Sequence, residues 1–479
     1  MAYIVGDRKQ ATFLPPCIED YIGKEDPVRA YDVFIETLDF NKLGIFIEEN
    51  KSGANPYHPK AMLKLVVYGY AYGIRSSRKL ERAAKHNLSF IWLTGNLQPD
   101  YRTIARFRRD NTNALKNVLK QCVHMCVKLN LIEGNTLFID GSKIKANASL
   151  NNTMTEQEFK EQLEEITKNI ERILAECERI DSAEEDKGSL VELSKELQNQ
   201  EQLASKIKNV LKEFDIADKE KINLTDPDSV KSKGDRGTKM YHNAQITVDE
   251  KNGLIVSSDI VSQVNDSNQF KEQVEQAQKN LGKKVKTACA DSGYSYTEDL
   301  KKVSSETVIV VPSQQQVQKE HGLTKPFDKS AFKYDLEKDE YICPMGKRLR
   351  KVGGAPFDRT NCCLYQAHRE DCHQCQHFGI CTSSKQGRKL VRMTDEIFKE
   401  QLEKIYSSPE GQKTYKLRKE KAELPFAHIK HNMGFRQFLL RYTQGAKAEI
   451  SLLATGFNIN RMITLLGGIT GFMVKIPSV

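Results

Sequence analysis

The sequence predicts a mixed α/β fold: a sheet core, an all-helical N-terminal region, and two inserted segments of different character. Three observations carry this. Short runs of β-branched and apolar residues (TLFI from residue 136, KKVKTACA from 283, TVIVVPS from 307) recur between helical stretches and read as strands buried on both faces. Two heptad stripes interrupt that pattern after residue 153, and a cysteine-rich, weakly periodic segment interrupts it again after residue 313.

A chain of 479 residues allows two to four structural units. Hydrophobic content of 39% and charged content of 29% describe a soluble globular protein. No apolar run approaches the ~20 residues needed to span a bilayer, and the start MAYIVGDRKQ lacks a signal peptide's apolar centre. The expectation is a cytoplasmic protein without membrane contact, whose 11 cysteines are reduced thiols or metal ligands. A net charge of +9 suits a polyanionic partner without identifying one.

Residues 1–130 read as helical. His58-Pro59 opens a helix that Gly73 closes, Ser76 or Ser77 caps the next, and Asp100 caps a third. That third helix carries Arg102, Arg106 and Arg109 on one face, a stripe that suits DNA in a helix-turn-helix arrangement and equally a solvated face of an ordinary bundle. Trp92, in FIWL, reads as core rather than as a platform for a base.

The chain is organised around NTLFIDGSKIKANAS, residues 135–149. Its apolar run ends at Asp140-Gly141-Ser142, a break signal that puts the Asp140 carboxylate at the C-terminal edge of a buried strand, where open α/β sheets place their ligands. KKVKTACA repeats the design and ends at Asp291; if the two strands are neighbours, their carboxylates converge. Between them, Phe159, Leu163, Ile166, Ile170, Ile173, Cys177 and Ile180 form one heptad stripe. Leu190, Leu193, Leu197, Gln200, Ala204, Ile207, Leu211 and Phe214 form another, and together they read as an antiparallel helical hairpin rather than a free-standing coiled coil. KMYHNAQITVD and LIVSSDIVS flank Asn252-Gly253, a strong hairpin turn.

Residues 314–410 are polar and show no core of their own. Cys343, then Cys372 and Cys375 in a CxxC, then Cys381 fit one structural Zn²⁺, with Cys362, Cys363, His373 and His377 as competing ligands and a redox CxxC as the rival reading. Residues 411–442 read as one basic helix carrying Tyr415, Arg418, Glu423 and Lys430. GAKAEISLLATGFNINRMITLL reads as a closing amphipathic helix.

FIDG, YHNAQITVD, ADSGY, the CPMG…CxxC…C segment and YKLRKEKAELPFAHIKHNMGFRQFLLR together resemble an insertion-sequence transposase of the DDE superfamily, in the branch with a cysteine-containing insertion. The resemblance implies a ribonuclease H-like core built from residues 131–153, 218–313 and 411–479. Around it would stand an N-terminal helical DNA-binding domain at 1–130, the helical-hairpin insertion at 154–217 and the zinc-binding insertion at 314–410. It implies that Asp140, Asp291 and Glu423 hold two divalent ions, Mg²⁺ or Mn²⁺, a choice that suits hard carboxylate ligands and in-line displacement at phosphorus. Tyr415, Arg418, Glu423 and Lys430 resemble the tyrosine–arginine–glutamate–lysine signature, except that four residues, not three, separate Arg418 from Glu423. The implied partners are transposon ends and target DNA, bound by a homodimer. A non-cutting, domesticated DNA-binding protein of the same fold is the alternative. Strand separation through a DNA hairpin stays open, with Tyr294, Tyr296 and Tyr415 as the aromatic candidates.

Overall fold

The central strand does not stop at its break signal. In a computed structural model describing residues 17–46, 56–183, 187–216, 219–234, 237–322, 326–352 and 362–476, the main sheet consists of β1 (Thr136–Lys145), β2 (Val230–Gly234), β3 (Gly237–Asp249), β4 (Ile255–Val261), β5 (Thr287–Cys289) and β6 (Val308–Val310). β1 runs straight through Asp140-Gly141-Ser142 because β3 lies antiparallel along it, from Leu137 opposite Asp249 to Lys145 opposite Tyr241. A continuous ladder of backbone hydrogen bonds overrides the local turn preference. On its other edge β1 pairs with β5 in parallel, and β5 pairs with β6 in parallel. β4 and β2 share the outer edge of β3, both antiparallel to it. The order β4-β3-β1-β5-β6, with its antiparallel half followed by a parallel half, is a ribonuclease H-like mixed sheet.

The N-terminal helices are α1 (Val28–Glu36), α2 (Pro59–Ala71), α3 (Ser77–His86), α4 (Leu88–Leu93), α5 (Tyr101–Asp110) and α6 (Thr112–Lys128). Their punctuation follows the sequence. Pro59 stands in the first turn of α2, Gly73 takes φ +74° just past its end, and the Asp100 carboxylate accepts a hydrogen bond from the Thr103 amide at 2.7 Å. Trp92 is half-buried, its indole N–H donating to Glu19 at 2.5 Å.

Both heptad stripes fold back on each other as α7 (Glu156–Ala183) and α8 (Lys187–Ile216). Phe159, Ile166 and Ile173 are buried on one helix, Ala204 and Ile207 on the other, and Phe159 meets Phe214 with ring centres 6.2 Å apart. The side chains of Ile180 and Leu190 lie outside the described residues. After β4, α9 (Phe270–Leu281) packs on the sheet and ends at Gly282 with φ +69°.

Two expectations for the C-terminal half fail. Residues 314–410 do have a core. There β7 (Lys333–Asp335), β8 (Glu340–Ile342), β9 (Arg348–Lys351), β10 (Cys362–Ala367) and β11 (Lys389–Met393) form a five-stranded antiparallel sheet over Phe332, Tyr341, Leu349, Tyr365 and Leu390. Strands of three to six residues carry at most three inward side chains each, too few to register as a periodicity. Nor is residues 411–442 one helix. α10 (Glu396–Ser407) precedes α11 (Pro409–His431), which stops before Gly434 at φ +64°, and the chain turns before α12 (Tyr442–Leu465) and α13 (Gly468–Lys475).

α12 is not amphipathic but buried almost all round, because α2 and α6 cover one side and β4 the other. Its polar groups are paired within the core: Asn458 exchanges two 2.8 Å hydrogen bonds with the Ile255 backbone, and Ser451 meets Ser258 at 3.1 Å. The fully buried Glu449 accepts from Tyr70 at 2.6 Å and from the Leu439 and Leu440 amides at 2.6 and 3.0 Å. It thereby ties α2, α12 and the turn after α11 together. Glu449→Ala strands those three donors and should cost about 3 kcal/mol or more, seen as a clear fall in melting temperature by circular dichroism. An unchanged melting temperature would contradict this role.

Candidate active site

The parallel seam sets the geometry. Its last paired residues are Phe138 and Cys289, and two residues further on the chains carry Asp140 and Asp291 out side by side. Asp140 thus sits mid-strand, past the end of its parallel neighbour rather than at its own strand's end. Asp291 leaves β5 to cap a short turn, accepting from the Gly293 amide at 2.8 Å. α11 crosses this point with Ala422 packed in the cluster of Phe138, Cys289, Val310 and Tyr406. That contact delivers Arg418, only 7% exposed, to the carboxylates: Nη1 lies 3.3 Å from Asp140 and Nη2 3.5 Å from Glu423. Glu423 remains half in solvent.

Tyr415 is half-buried, edge-on to Tyr406 with ring centres 5.1 Å apart, and lies 5.6 Å from the Arg418 guanidinium carbon. It therefore steadies Arg418 from behind. Lys430, two turns beyond Glu423, donates to the Ser142 hydroxyl at 2.6 Å. Structure thus brings together Asp140, Asp291, Arg418, Glu423, Tyr415 and Lys430. Arg102, Arg106 and Arg109 lie on the exposed face of α5, apart from this group, while the intervening Arg108 is buried and bonded to Tyr70, Arg75 and Ser77.

The electrostatics are unbalanced. Burial pushes the Asp140 carboxyl up to about 7; Arg418 opposes this, and the charges of Asp291, Glu423 and Asp266 add to it. Burial likewise raises Asp291, again against Arg418. One guanidinium faces several carboxylates, so the site is short of positive charge. Among the described residues no three such side chains are gathered tightly enough to form a ready metal site.

Sequence reasoning missed the floor of the site. Asp266 accepts from Asn243 at 2.8 Å and Gln245 at 2.7 Å, and Gln245 in turn accepts from the buried Tyr294 hydroxyl. Gly141 lies against this network so closely that a Cβ there would collide with Asp266 and Gln245. The available signal was polarity where a buried strand should be apolar: Asn243, Gln245 and Thr247 are all 2% exposed or less. Tyr294 is committed to this floor, whereas Tyr296 is 47% exposed.

In the inserted sheet, Cys343, Cys372, Cys375 and Cys381 line one cavity of about 40 Å³. The Cys343 sulfur accepts from the Lys347 amide at 3.3 Å and the Cys372 sulfur from the Arg388 amide at 3.4 Å. His377 also lines this cavity, tilted against Phe327 at 4.7 Å between ring centres, while His373 meets Phe378 in the same way at 4.8 Å.

A family model described as a transposase domain (DUF772) matches residues 16–110, and one described as a transposase DDE domain matches residues 342–463. Over these two segments the chain is similar to DDE transposases. The second match covers the last three strands of the cysteine sheet and helix α11 with Arg418, Glu423 and Lys430, while Asp140 and Asp291 lie upstream of it. No curated protein and no solved structure gives a significant match. Among the described residues no helix is long and apolar enough to cross a membrane.

The crowding of carboxylates makes a stability prediction. Asp140 has a folded-state pKa of about 7, above its unfolded one, so its ionisation opposes folding in full above pH ~7, and the penalty declines as pH falls from there toward the unfolded value of ~4. In metal-free protein, Asp140→Asn should therefore raise the melting temperature at pH 8, by an amount equivalent to ~1–3 kcal/mol, and raise it less at pH 5. Destabilisation at pH 8 would overturn the electrostatic account.

Proposed function

We propose that this protein is the DDE transposase of a bacterial insertion sequence, which binds the terminal repeats of its element as a homodimer, cuts them and joins the freed 3′-OH ends to target DNA. The convergence of Asp140, Asp291 and Glu423 around Arg418 is the observation that carries this reading. Two divalent ions, Mg²⁺ or Mn²⁺, held by those three carboxylates would supply activation of the attacking oxygen and stabilisation of the leaving one. The remaining roles belong to the side chains. Arg418 orients Asp140 and Glu423 and offsets part of their charge before DNA arrives. Lys430 offers a cation for a phosphate beside the scissile bond. Tyr415 holds Arg418 in place.

In this reading residues 1–130 engage DNA through Arg102, Arg106 and Arg109. Residues 131–153, 218–313 and 411–479 make up the catalytic core, with the helical hairpin inserted at 154–217 and the cysteine sheet at 314–410. The protein acts in the cytoplasm, at the nucleoid. Cys343, Cys372, Cys375 and Cys381 hold one structural Zn²⁺; the cavity they share, which His377 also lines, and the amides directed at two of the sulfurs support that set.

The decisive experiment incubates purified protein and Mg²⁺ with labelled duplexes bearing the element's terminal repeats. Asp140→Ala, Asp291→Ala and Glu423→Ala should each abolish cleavage while leaving DNA binding near wild type. Full cleavage by any of the three would refute the assignment, and binding without cleavage by the wild type would favour the non-cutting alternative. Metal analysis of protein purified without added metal should find about one zinc per chain. Cys372→Ser with Cys375→Ser should remove it and loosen residues 368–388, leaving the five-stranded sheet folded. A zinc content near zero would contradict the ligand set.

A further inference from the structure

Beside the carboxylates, and absent from every role assigned so far except that of Lys430, lies an open groove of about 520 Å³. Lys143 and Lys145 of β1, Lys233 of β2, Lys239 of β3, Lys430 of α11 and Arg436 in the turn beyond it line its walls, and no aspartate or glutamate does. We infer that this groove takes the sugar–phosphate backbone of the DNA strand leaving the active site, an inference that rests on the transposase reading for its partner.

The charge is uncompensated. Lys143 donates to the Ser232 hydroxyl at 2.9 Å and Lys430 to that of Ser142, both neutral acceptors. Among the described residues no carboxylate forms an ion pair with any of the six cations, although elsewhere surface cations are commonly paired, as Lys64 is with Asp32 and Glu36. Like charges concentrated in a concavity repel one another and draw in a polyanion, whose bound counterions are released on contact.

The groove is also continuous with the site. Ser142, at its near end, stands two residues beyond Asp140 on the same strand, and Lys430 two helical turns beyond Glu423 on the same helix. A strand held at the carboxylates passes directly between them. Of the groove's rings, Tyr241 and Phe435 are 7% and 0% exposed and present no face for a base, leaving only the exposed His431 imidazole. With six cations and one small ring on its walls, contact is chiefly with phosphates and largely independent of sequence.

The test is fluorescence anisotropy of a labelled 25-base-pair duplex of arbitrary sequence, with the full chain, across a salt series. The triple variant Lys145→Ala, Lys239→Ala, Arg436→Ala should bind at least tenfold more weakly at about 100 mM salt. Its log–log salt slope should fall by about 2 to 3, as expected at ~0.9 per lost phosphate contact. Lys145→Arg with Lys239→Arg should keep the wild-type slope. A folded triple variant with unchanged affinity and slope would overturn the inference. Should that variant not fold, lysine acetylation read by mass spectrometry on the wild type decides: protection of Lys145 and Lys239 by the duplex supports the groove, and equal reactivity with and without DNA contradicts it. The two readings fail separately. Protein that binds through the groove but never cuts its element's ends sinks the cleavage reading alone, and protein that cuts while the variant binds normally sinks the groove alone.

Discussion

Everything at the candidate site depends on the register of one short parallel seam. β1 and β5 pair over three residues, and that pairing ends at Phe138 and Cys289, so the next outward positions of both strands are aspartates. A one-residue slip would turn one carboxylate to the opposite face of the sheet. The register is held from both sides: β3 pairs with β1 along nine residues, and the apolar contact of Ala422 with Phe138 and Cys289 docks α11 across the seam. Only then does Arg418 reach Asp140 and Glu423.

The result is a site built under electrostatic tension. Side chains that stabilise a resting protein would be apolar or paired here, yet several carboxylates share one buried guanidinium, and Asp140 is driven toward its neutral form. Such tension is tolerated where function needs it and the surrounding fold over-determines the geometry. The polar floor of Asn243, Gln245, Asp266 and Tyr294 is part of that support, since it fixes the backbone at Gly141, next to Asp140.

Much of this was legible in the sequence because it is local. Asp140 and Asp291 announce themselves as carboxylates closing apolar runs, the α11 residues by their spacing, the helical hairpin by its heptads, and α2 and α5 by their terminal residues. What was not legible depends on partners distant in sequence. β1 continues past Asp140-Gly141-Ser142 only because β3 pairs with it, and β3 starts some ninety residues later. α12 reads as amphipathic because Glu449, Ser451 and Asn458 are polar, but their partners on β4, α2 and the turn before α12 make them core residues. The cysteine sheet was hidden by the shortness of its strands.

In the proposed reading, divalent cations relieve the tension at Asp140. Binding of Mn²⁺ to the protein with an uncleaved end duplex, followed by electron paramagnetic resonance, tests it without relying on turnover. Wild-type protein should take up Mn²⁺ with two sites' stoichiometry, and Asp140→Asn should lose most of that uptake while still binding the duplex. Equal Mn²⁺ uptake by both proteins would contradict the account.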